Sequence, residues 1–147
     1  MVELVVTVPA DAPPGQVWAA LTAWDRQGEW MLGTRVRSLD GDGHAVGDRL
    51  EALTGVGRVG LLDRMRITSW DPPRVCEVEH YGRLLKGSGV FEVRPREAGS
   101  LVVWIERIDL PLGVLGRLGW SLARPAVRWG VERSLRKFAL WAEDYPV

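Results

Sequence analysis

The C-terminal stretch from Val114 to Tyr145 constrains the fold most, because it is the only long segment of the chain with helical periodicity. Pro125 interrupts this segment and predicts a kink, because proline removes a helical hydrogen bond. A helix with an apolar face is not stable alone in water, so the rest of the chain has to cover it. Side chains that recur at helical spacing predict that face as one wide stripe: Trp120, Val127, Val131, Ser134, Leu135, Phe138 and Ala142.

The residues before this helix predict a sheet that can cover it. The segment from Val2 to Val8 reads as a strand with one buried face. Two short helices are predicted next, the second from Asp25 to about Met31. From Arg35 to Arg107 the apolar period is two, and turns rich in glycine divide this region into about six strands. Short connections imply antiparallel pairing, so residues 1–147 are predicted to form a single α+β domain: a curved antiparallel sheet of about seven strands around a long C-terminal helix, with two short helices after the first strand.

The composition argues against several classes of partner. The formal net charge is zero, so no general positive field attracts nucleic acid. No stretch is apolar enough to span a bilayer, and Glu3 within the short apolar N-terminal run argues against a signal peptide. The single cysteine, Cys76, cannot form an intramolecular disulfide and fits a reducing cytoplasm. We therefore expect a cytoplasmic protein with no nucleic-acid partner and no integral membrane association. The chain has eight tryptophans, of which four are candidates for the walls of a cavity: Trp30, Trp104, Trp120 and Trp129.

Three patterns resemble cofactor, catalytic or metal sites but lack the context that the chemistry requires. The glycines of Gly55–Gly60 match a dinucleotide-binding fingerprint in spacing, yet they open an alternating strand instead of a helix. The segment Gly119–Ala123 is close to a nucleophile elbow, but it lacks the last glycine and lies inside the predicted helix. Cys76 and His80 share a strand face about 13 Å apart, too far to bind one metal ion. We expect neither a metal site nor a cofactor.

Several short sequence features carry a resemblance to a known family. They are Pro9-Ala10 followed by Val17–Leu21, Trp24, Trp30, Val46–Asp48, Asp71–Arg74, Trp104–Glu106, Pro111–Gly113, Ser134-Leu135 and Phe138. With these features in this order, the chain resembles the START-like, birch-pollen-allergen-like superfamily (SRPBCC), and within it the polyketide cyclase/dehydrase-like branch of small bacterial proteins. The resemblance implies a helix-grip fold and a START-like ligand-binding domain over the whole chain. It identifies no catalytic residue, because this fold serves lipid carriers, hormone receptors, cyclases and dehydratases.

Three polar residues lie on strand faces that otherwise look internal, namely Glu106, Asp63 and His80. If these faces line a hollow under the helix, an acid there would have a raised pKa and could act as a general acid or base. Two alternatives would remove a residue from this role. A strand could be turned the other way, since a shift of one residue reverses each face. Alternatively, Asp63 or Glu106 could pair with an arginine. The residues predicted to line the ligand site are Trp30, Leu61, Asp63, Met65, Val78, His80, Phe91, Val102, Trp104, Glu106, Leu118, Leu122 and Trp129.

The main functional hypothesis is binding of a small hydrophobic molecule, aromatic or polyketide- or lipid-like, between the sheet and the long helix. The alternative is a polyketide cyclase/dehydratase-type enzyme in which a buried carboxylate acts as general acid or base. Two titratable groups facing each other in the cavity would favour the enzyme, and a lone acid or none would favour the binder. A third hypothesis is an interaction module with a filled hollow. For that module the alternation of Leu101, Val103 and Ile105 predicts an apolar outer face and motivates a homodimer hypothesis.

Overall fold

The computed structural model describes residues 1–56 and 59–147. Its elements are β1 (Val2–Ala10), α1 (Pro14–Leu21), a 3-10 helix (Trp24–Glu29), β2 (Thr34–Ser38), β3 (Arg49–Val56), β4 (Val59–Asp71), β5 (Val75–Tyr81), β6 (Lys86–Arg96), β7 (Gly99–Asp109) and α2 (Val114–Glu143). The predicted α+β helix-grip fold is confirmed: a curled antiparallel sheet of seven strands, a long C-terminal helix and two short helices after β1.

The strands pair in the order β1-β7-β6-β5-β4-β3-β2. Consecutive strands from β2 to β7 form hairpins, and β1 closes the other edge by pairing with β7, with Val6 opposite Trp104. In the glycine-rich motif Gly55–Gly60, Val56 pairs with Val59 across the β3–β4 hairpin. The motif therefore leads into a strand, as its context predicts, although Gly57 and Arg58 lie outside the described residues.

The second half of α2 anchors the helix in the core. Phe138 is fully buried, and its ring lies 4.8 Å from that of Trp30, edge to face. Ser134 adds a hydrogen bond, because its Oγ accepts the backbone N–H of Leu32 at 2.9 Å. The apolar stripe predicted from periodicity is thus buried in this half at Ser134, Leu135, Phe138 and Ala142, and Ala139 is buried beside it.

The first half of α2 differs, because it crosses a hollow instead of packing on the core. The helix is continuous from Val114 to Glu143 with Pro125 inside it, and the kink predicted there stays a prediction. Its inner side contributes Trp120 and Val127 to the wall of that hollow. Its outer side leaves a second set of large apolar side chains in solvent: Leu115, Leu118, Leu122 and Trp129.

The outer face of β7 is less exposed than its alternation predicted. Val103 is buried, and Leu101 and Ile105 are half-buried, because neighbouring side chains on β1 and β6 cover them. This face therefore lacks the broad exposed apolar surface that motivated the homodimer hypothesis, and the homodimer stays a prediction. Within the described residues, 1–56 and 59–147, no helix is both long and apolar enough to cross a membrane.

Candidate functional site

A cavity of about 620 Å³ lies between the concave face of the sheet and α2. This volume is in the range of small-molecule sites. The walls are mainly apolar, with Met65 and Val78 on the sheet and the rings of Phe91 and Trp104, which lie 5.2 Å apart. The space is therefore suited to a hydrophobic molecule.

Four polar side chains form one connected network on this apolar wall. The imidazole of His80 hydrogen-bonds through Nδ1 to Asp63 Oδ1 at 2.9 Å and through Nε2 to Glu106 Oε2 at 2.8 Å. The indole N–H of Trp104 donates to Glu106 Oε1 at 2.8 Å. Among the described residues, the second oxygen of Asp63 makes no hydrogen bond. The network thus leaves one carboxylate oxygen available to a molecule in the cavity.

The strand register explains how these side chains meet. Asp63 is on β4, His80 on the adjacent β5, and Met65 lies opposite His80, so Asp63 is a diagonal neighbour of the imidazole. Glu106 is on β7, which β6 separates from β5. Gly89 of β6 is the residue paired with Glu106, and a Cβ atom there would lie 3.0 Å from Glu106 Oε1 and 3.2 Å from His80 Nε2. The missing side chain at Gly89 lets His80 and Glu106 make contact over the strand between them.

Replacing Gly89 with valine is expected to break the contact between His80 and Glu106 and to lower the free energy of unfolding by about 2 kcal/mol, because the added methyl groups overfill the site. Urea unfolding monitored by circular dichroism measures this loss. Gly119→Ala is the control, since a Cβ atom at Gly119 meets nothing within 4 Å. A Gly89→Val protein as stable as the parent would show that the space over β6 is not needed.

Burial and hydrogen bonding act in opposite directions on the charge of His80. Burial by itself lowers the pKa of the imidazole, but the hydrogen bonds and charges of Asp63 and Glu106 outweigh it and raise that pKa from 6.5 to about 10. His80 is therefore a cation at neutral pH, with both N–H groups donating to carboxylates. A cation between two anions leaves one net negative charge on the cavity wall. No Lys or Arg is among the described residues that line the cavity.

The raised pKa predicts a specific dependence of stability on pH. The stabilising contribution of His80 is complete below its ordinary pKa of 6.5 and is lost as the pH rises toward 10. As the pH rises from about 7 to about 8.5, the free energy of unfolding of the parent should fall more steeply than that of a His80→Gln variant. The two slopes should differ by up to about 1.4 kcal/mol per pH unit. Burial raises the pKa of the Cys76 thiol to about 12, which adds a loss of the same sign only above its ordinary value of 9.0. Parallel slopes for the two proteins in that interval would contradict a charged His80.

The network is not arranged as a metal site. Asp63 and Glu106 bind opposite ring nitrogens of His80, so the three side chains do not converge on one point where an ion could lie. In the part of the chain that the structure describes, no group of three or more His, Cys, Asp and Glu residues could hold such an ion.

Eight of the residues predicted for the ligand site line the cavity: Leu61, Asp63, Met65, Val78, His80, Phe91, Trp104 and Glu106. The strand faces on which these predictions depended therefore point toward the hollow. The alternative pairing of Asp63 or Glu106 with an arginine is not found, because their ion pairs in the described residues are with His80.

The other five predicted residues lie elsewhere. Trp30 and Val102 are buried in the core, and Trp30 stands behind the wall with its ring 6.3 Å from that of Trp104. Leu118, Leu122 and Trp129 are on the outer side of α2, with 59%, 85% and 53% of their surfaces exposed. Their predicted position in the cavity is corrected, because the second apolar set of the helix faces away from the sheet.

The sequence prediction missed one whole side of the cavity. Strand β3 contributes Leu50, Ala52 and Thr54. Their alternation is a signal that could have been used, since positions with a period of two share a face. The 3-10 helix and its following loop contribute Trp24, Gln27, Met31 and Leu32, and no periodicity marks such residues.

Comparisons with known proteins agree with this architecture. A family model described as polyketide cyclase / dehydrase and lipid transport matches residues 1–143. The Zhui aromatase/cyclase of a Streptomyces species is similar in structure, with a TM-score of 0.79, 16% identity, and 97% of this chain and 93% of that chain covered. A protein of Thermus thermophilus has a TM-score of 0.77 at 14% identity, covering 96% of this chain and 97% of that one.

A di-domain aromatase/cyclase, StfQ of the steffimycin biosynthetic pathway, is also similar over 97% of this chain but only 51% of its own, with a TM-score of 0.73 and 13% identity. No curated protein matches the chain in sequence. Identities this low show a common fold and do not transfer a substrate or a reaction.

Proposed function

The chain belongs to the polyketide cyclase/dehydrase and lipid transport family, and we propose that it binds a small hydrophobic molecule in the cavity between the sheet and α2. The observation that supports this proposal most is an open cavity of about 620 Å³ with predominantly apolar walls. Burial of an apolar ligand against these walls would supply the affinity. The polar network would supply the orientation.

The network also indicates what the polar end of the ligand is like. Asp63 offers a carboxylate oxygen with no other hydrogen-bond partner in the described residues, and Asp63, His80 and Glu106 together carry one net negative charge. A hydroxyl or ammonium group can donate a hydrogen bond to this oxygen. A carboxylate or phosphate would meet a like charge in a poorly solvated site. The ligand we propose is therefore an apolar molecule with a hydrogen-bond donor and no anionic group at the end that reaches Asp63.

A titration with N-phenyl-1-naphthylamine, a neutral and hydrophobic fluorescent probe, tests this binding. The parent protein should enhance the probe's fluorescence at a single saturable site. Ala52→Trp should abolish the enhancement, because residue 52 faces the cavity and a tryptophan there would fill it. Thr68→Trp is the matched control, since residue 68 is exposed on the neighbouring strand β4. Equal binding by the two variants would contradict the cavity as the site.

Displacement of the probe by three chain-matched molecules tests the polar end. A long-chain alcohol and a long-chain amine should displace it more effectively than the carboxylic acid of the same length. Asp63→Asn should reduce this preference by about tenfold, because it removes the net charge. Preferential displacement by the carboxylic acid would overturn the proposed ligand class while leaving the cavity itself as a binding site.

The second candidate function is an enzyme of the cyclase or dehydratase type, and the same network favours it. Titratable groups do face each other in the cavity, which is the arrangement that separates an enzyme from a binder with a lone acid. Here the free oxygen of Asp63 would accept a proton from the carbon next to a carbonyl group and pass it to the β-hydroxyl, which leaves as water while the C=C bond forms. Glu106 and His80 would hold that carboxylate in place. We rank this function second, because His80 has no nitrogen free to exchange a proton with a substrate.

The enzyme is tested with a hydrophobic β-hydroxy ketone, whose dehydration to an enone is followed by ultraviolet absorbance. An enzyme would form the enone faster than buffer does, and Asp63→Asn would remove the acceleration while the ketone still displaces the fluorescent probe. A ketone that binds and is recovered unchanged would support binding alone.

The third hypothesis, a module with a filled hollow, is not favoured, because the described side chains leave the hollow open.

A further inference from the structure

The mouth of the cavity has an unusually apolar rim. We define this rim as the apolar residues that line the cavity and are also exposed to solvent: Leu32, Leu61, Leu84, Pro111 and Val127. They come from four separate parts of the chain, which meet around one opening. Among the described residues, Thr54 is the one polar residue that lines the cavity and is exposed. A contiguous group of solvent-exposed leucine and valine side chains is energetically unfavourable and indicates a surface that binds a partner.

The first half of α2 extends this apolar surface away from the opening. Leu115, Leu118 and Leu122 recur at helical spacing on its outer side, with Leu115 70% and Leu122 85% exposed. Trp129 continues the same row two turns later and is 53% exposed. More than half of the surface of each residue in this row is exposed, and the guanidinium of Arg133 lies 5.4 Å from the ring of Trp129. Leucines together with a tryptophan on one side of a helix are typical of helices that lie at a membrane interface.

The charges around the mouth are mainly basic. Residues 110–131, which include the rim residues Pro111 and Val127, contain Arg117, Arg124 and Arg128 and no Asp or Glu. Acidic residues lie at the edges of this region: Glu132 pairs with Arg128 at 2.7 Å, and Asp109 lies opposite Lys86. The ion pairs of the described residues do not include Arg83, Arg117 or Arg124. The mouth therefore has an excess of positive charge.

We infer that the mouth of the cavity and the first half of α2 dock on the surface of a lipid bilayer that contains anionic lipids. The exposed row of α2 would enter the boundary between headgroups and acyl chains, and the arginines would contact lipid phosphates. This contact needs no membrane-spanning helix. A second copy of the chain fits less well, because mouth-to-mouth contact would bring two basic regions together. Docking at this place would open the cavity directly onto a source of hydrophobic molecules.

Co-sedimentation with vesicles tests this docking, using phosphatidylcholine alone and phosphatidylcholine mixed with phosphatidylserine. The parent protein should partition onto the mixed vesicles at least about tenfold more strongly than onto neutral ones, and added salt should weaken the binding. Leu118→Glu combined with Leu122→Glu should abolish it. Arg117→Glu combined with Arg124→Glu should reduce it by about tenfold or more, since each basic residue near an anionic surface contributes roughly a fivefold factor.

Two control variants come from the same helix. Leu140→Glu and Lys137→Glu change an exposed leucine and an exposed basic residue in the second half of α2, and both should bind as the parent does. Absence of binding to mixed vesicles, or equal losses in mouth and control variants, would overturn the inference. A parent protein that is dimeric by light scattering and becomes monomeric with Leu122→Glu would overturn it in favour of a second copy.

Mouth variants that bind mixed vesicles as the parent does would also overturn the inference, because the vesicles would then be bound by another part of the protein. The docking proposal goes beyond ligand binding and can fail independently of it. Ala52→Trp, which fills the cavity, should still bind mixed vesicles, and the mouth variants should still bind the fluorescent probe in solution.

Discussion

Replacing His80 with leucine is expected to lower the free energy of unfolding by about 3 kcal/mol. The side chain of His80 is almost fully buried, and both of its N–H groups donate to carboxylates. Leucine fills a similar volume but leaves Asp63 and Glu106 as two like charges on an apolar wall, without the cation that they share. Urea unfolding at pH of about 7, monitored by far-ultraviolet circular dichroism, measures the loss.

A triple variant tests whether the unpaired carboxylates cause this loss of stability. Adding Asp63→Asn and Glu106→Gln to His80→Leu removes the unpaired charges and should restore about half or more of the lost stability, because the larger part of the loss is the cost of burying those charges alone. The amide oxygen introduced by Glu106→Gln can still accept the indole N–H of Trp104. A triple variant less stable than His80→Leu would show that the carboxylates do not depend on the imidazolium.

Replacing Phe138 with alanine is expected to lower the free energy of unfolding by about 4 kcal/mol. The ring of Phe138 has no exposed surface and lies between Trp30 and Trp141, at centroid distances of 4.8 Å and 6.3 Å. Truncation leaves a hole where α2 is held to the core. The urea midpoint and the slope of unfolding measure this loss, and an unchanged slope would show that the fold itself is kept.

Leu122→Ala is the matched control on the same helix. Leu122 is 85% exposed, so its truncation should change the free energy of unfolding by less than about 0.5 kcal/mol. The difference in unfolding free energy between Phe138→Ala and Leu122→Ala tests whether the second half of α2 is anchored in the core while the outer side of its first half is exposed. Similar losses at both positions would mean that the outer side of the first half is packed in solution.

The fold could be predicted from the sequence because local patterns and the global arrangement agree. The stripe that includes Leu135 and Phe138 has the period of a helix, and the long region before it has the period of a sheet. Antiparallel neighbours follow from short turns, without any knowledge of distant contacts. The pairing of β1 with β7 joins the first and last strands of the chain, and no local pattern in the sequence predicts it.

The site was predicted where a polar residue interrupts an alternating face. Asp63, His80 and Glu106 each occupy such a position, so their strand faces could be deduced one at a time. Their connection could not, because it depends on the register of four strands and on the missing side chain at Gly89. Sequence periodicity contains no information about which side chains meet over an intervening strand.

The errors on α2 have a different cause. Leu118, Leu122 and Trp129 have the same spacing as a buried stripe, and a helix with two apolar sides does not reveal which of them faces the sheet. The choice is made by packing: the hollow under the first half takes Trp120 and Val127, and the other row remains in solvent. An apolar row that is mostly exposed is what points to an external surface.

The most direct test of the account is native mass spectrometry of the protein purified from its own host, followed by extraction of whatever is bound. We expect a single hydrophobic molecule with a hydroxyl or amine group per chain, present in the parent and in Thr68→Trp and absent from Ala52→Trp. A parent protein that carries nothing and binds no neutral hydrophobic probe would contradict it, and so would a molecule retained equally when the cavity is filled.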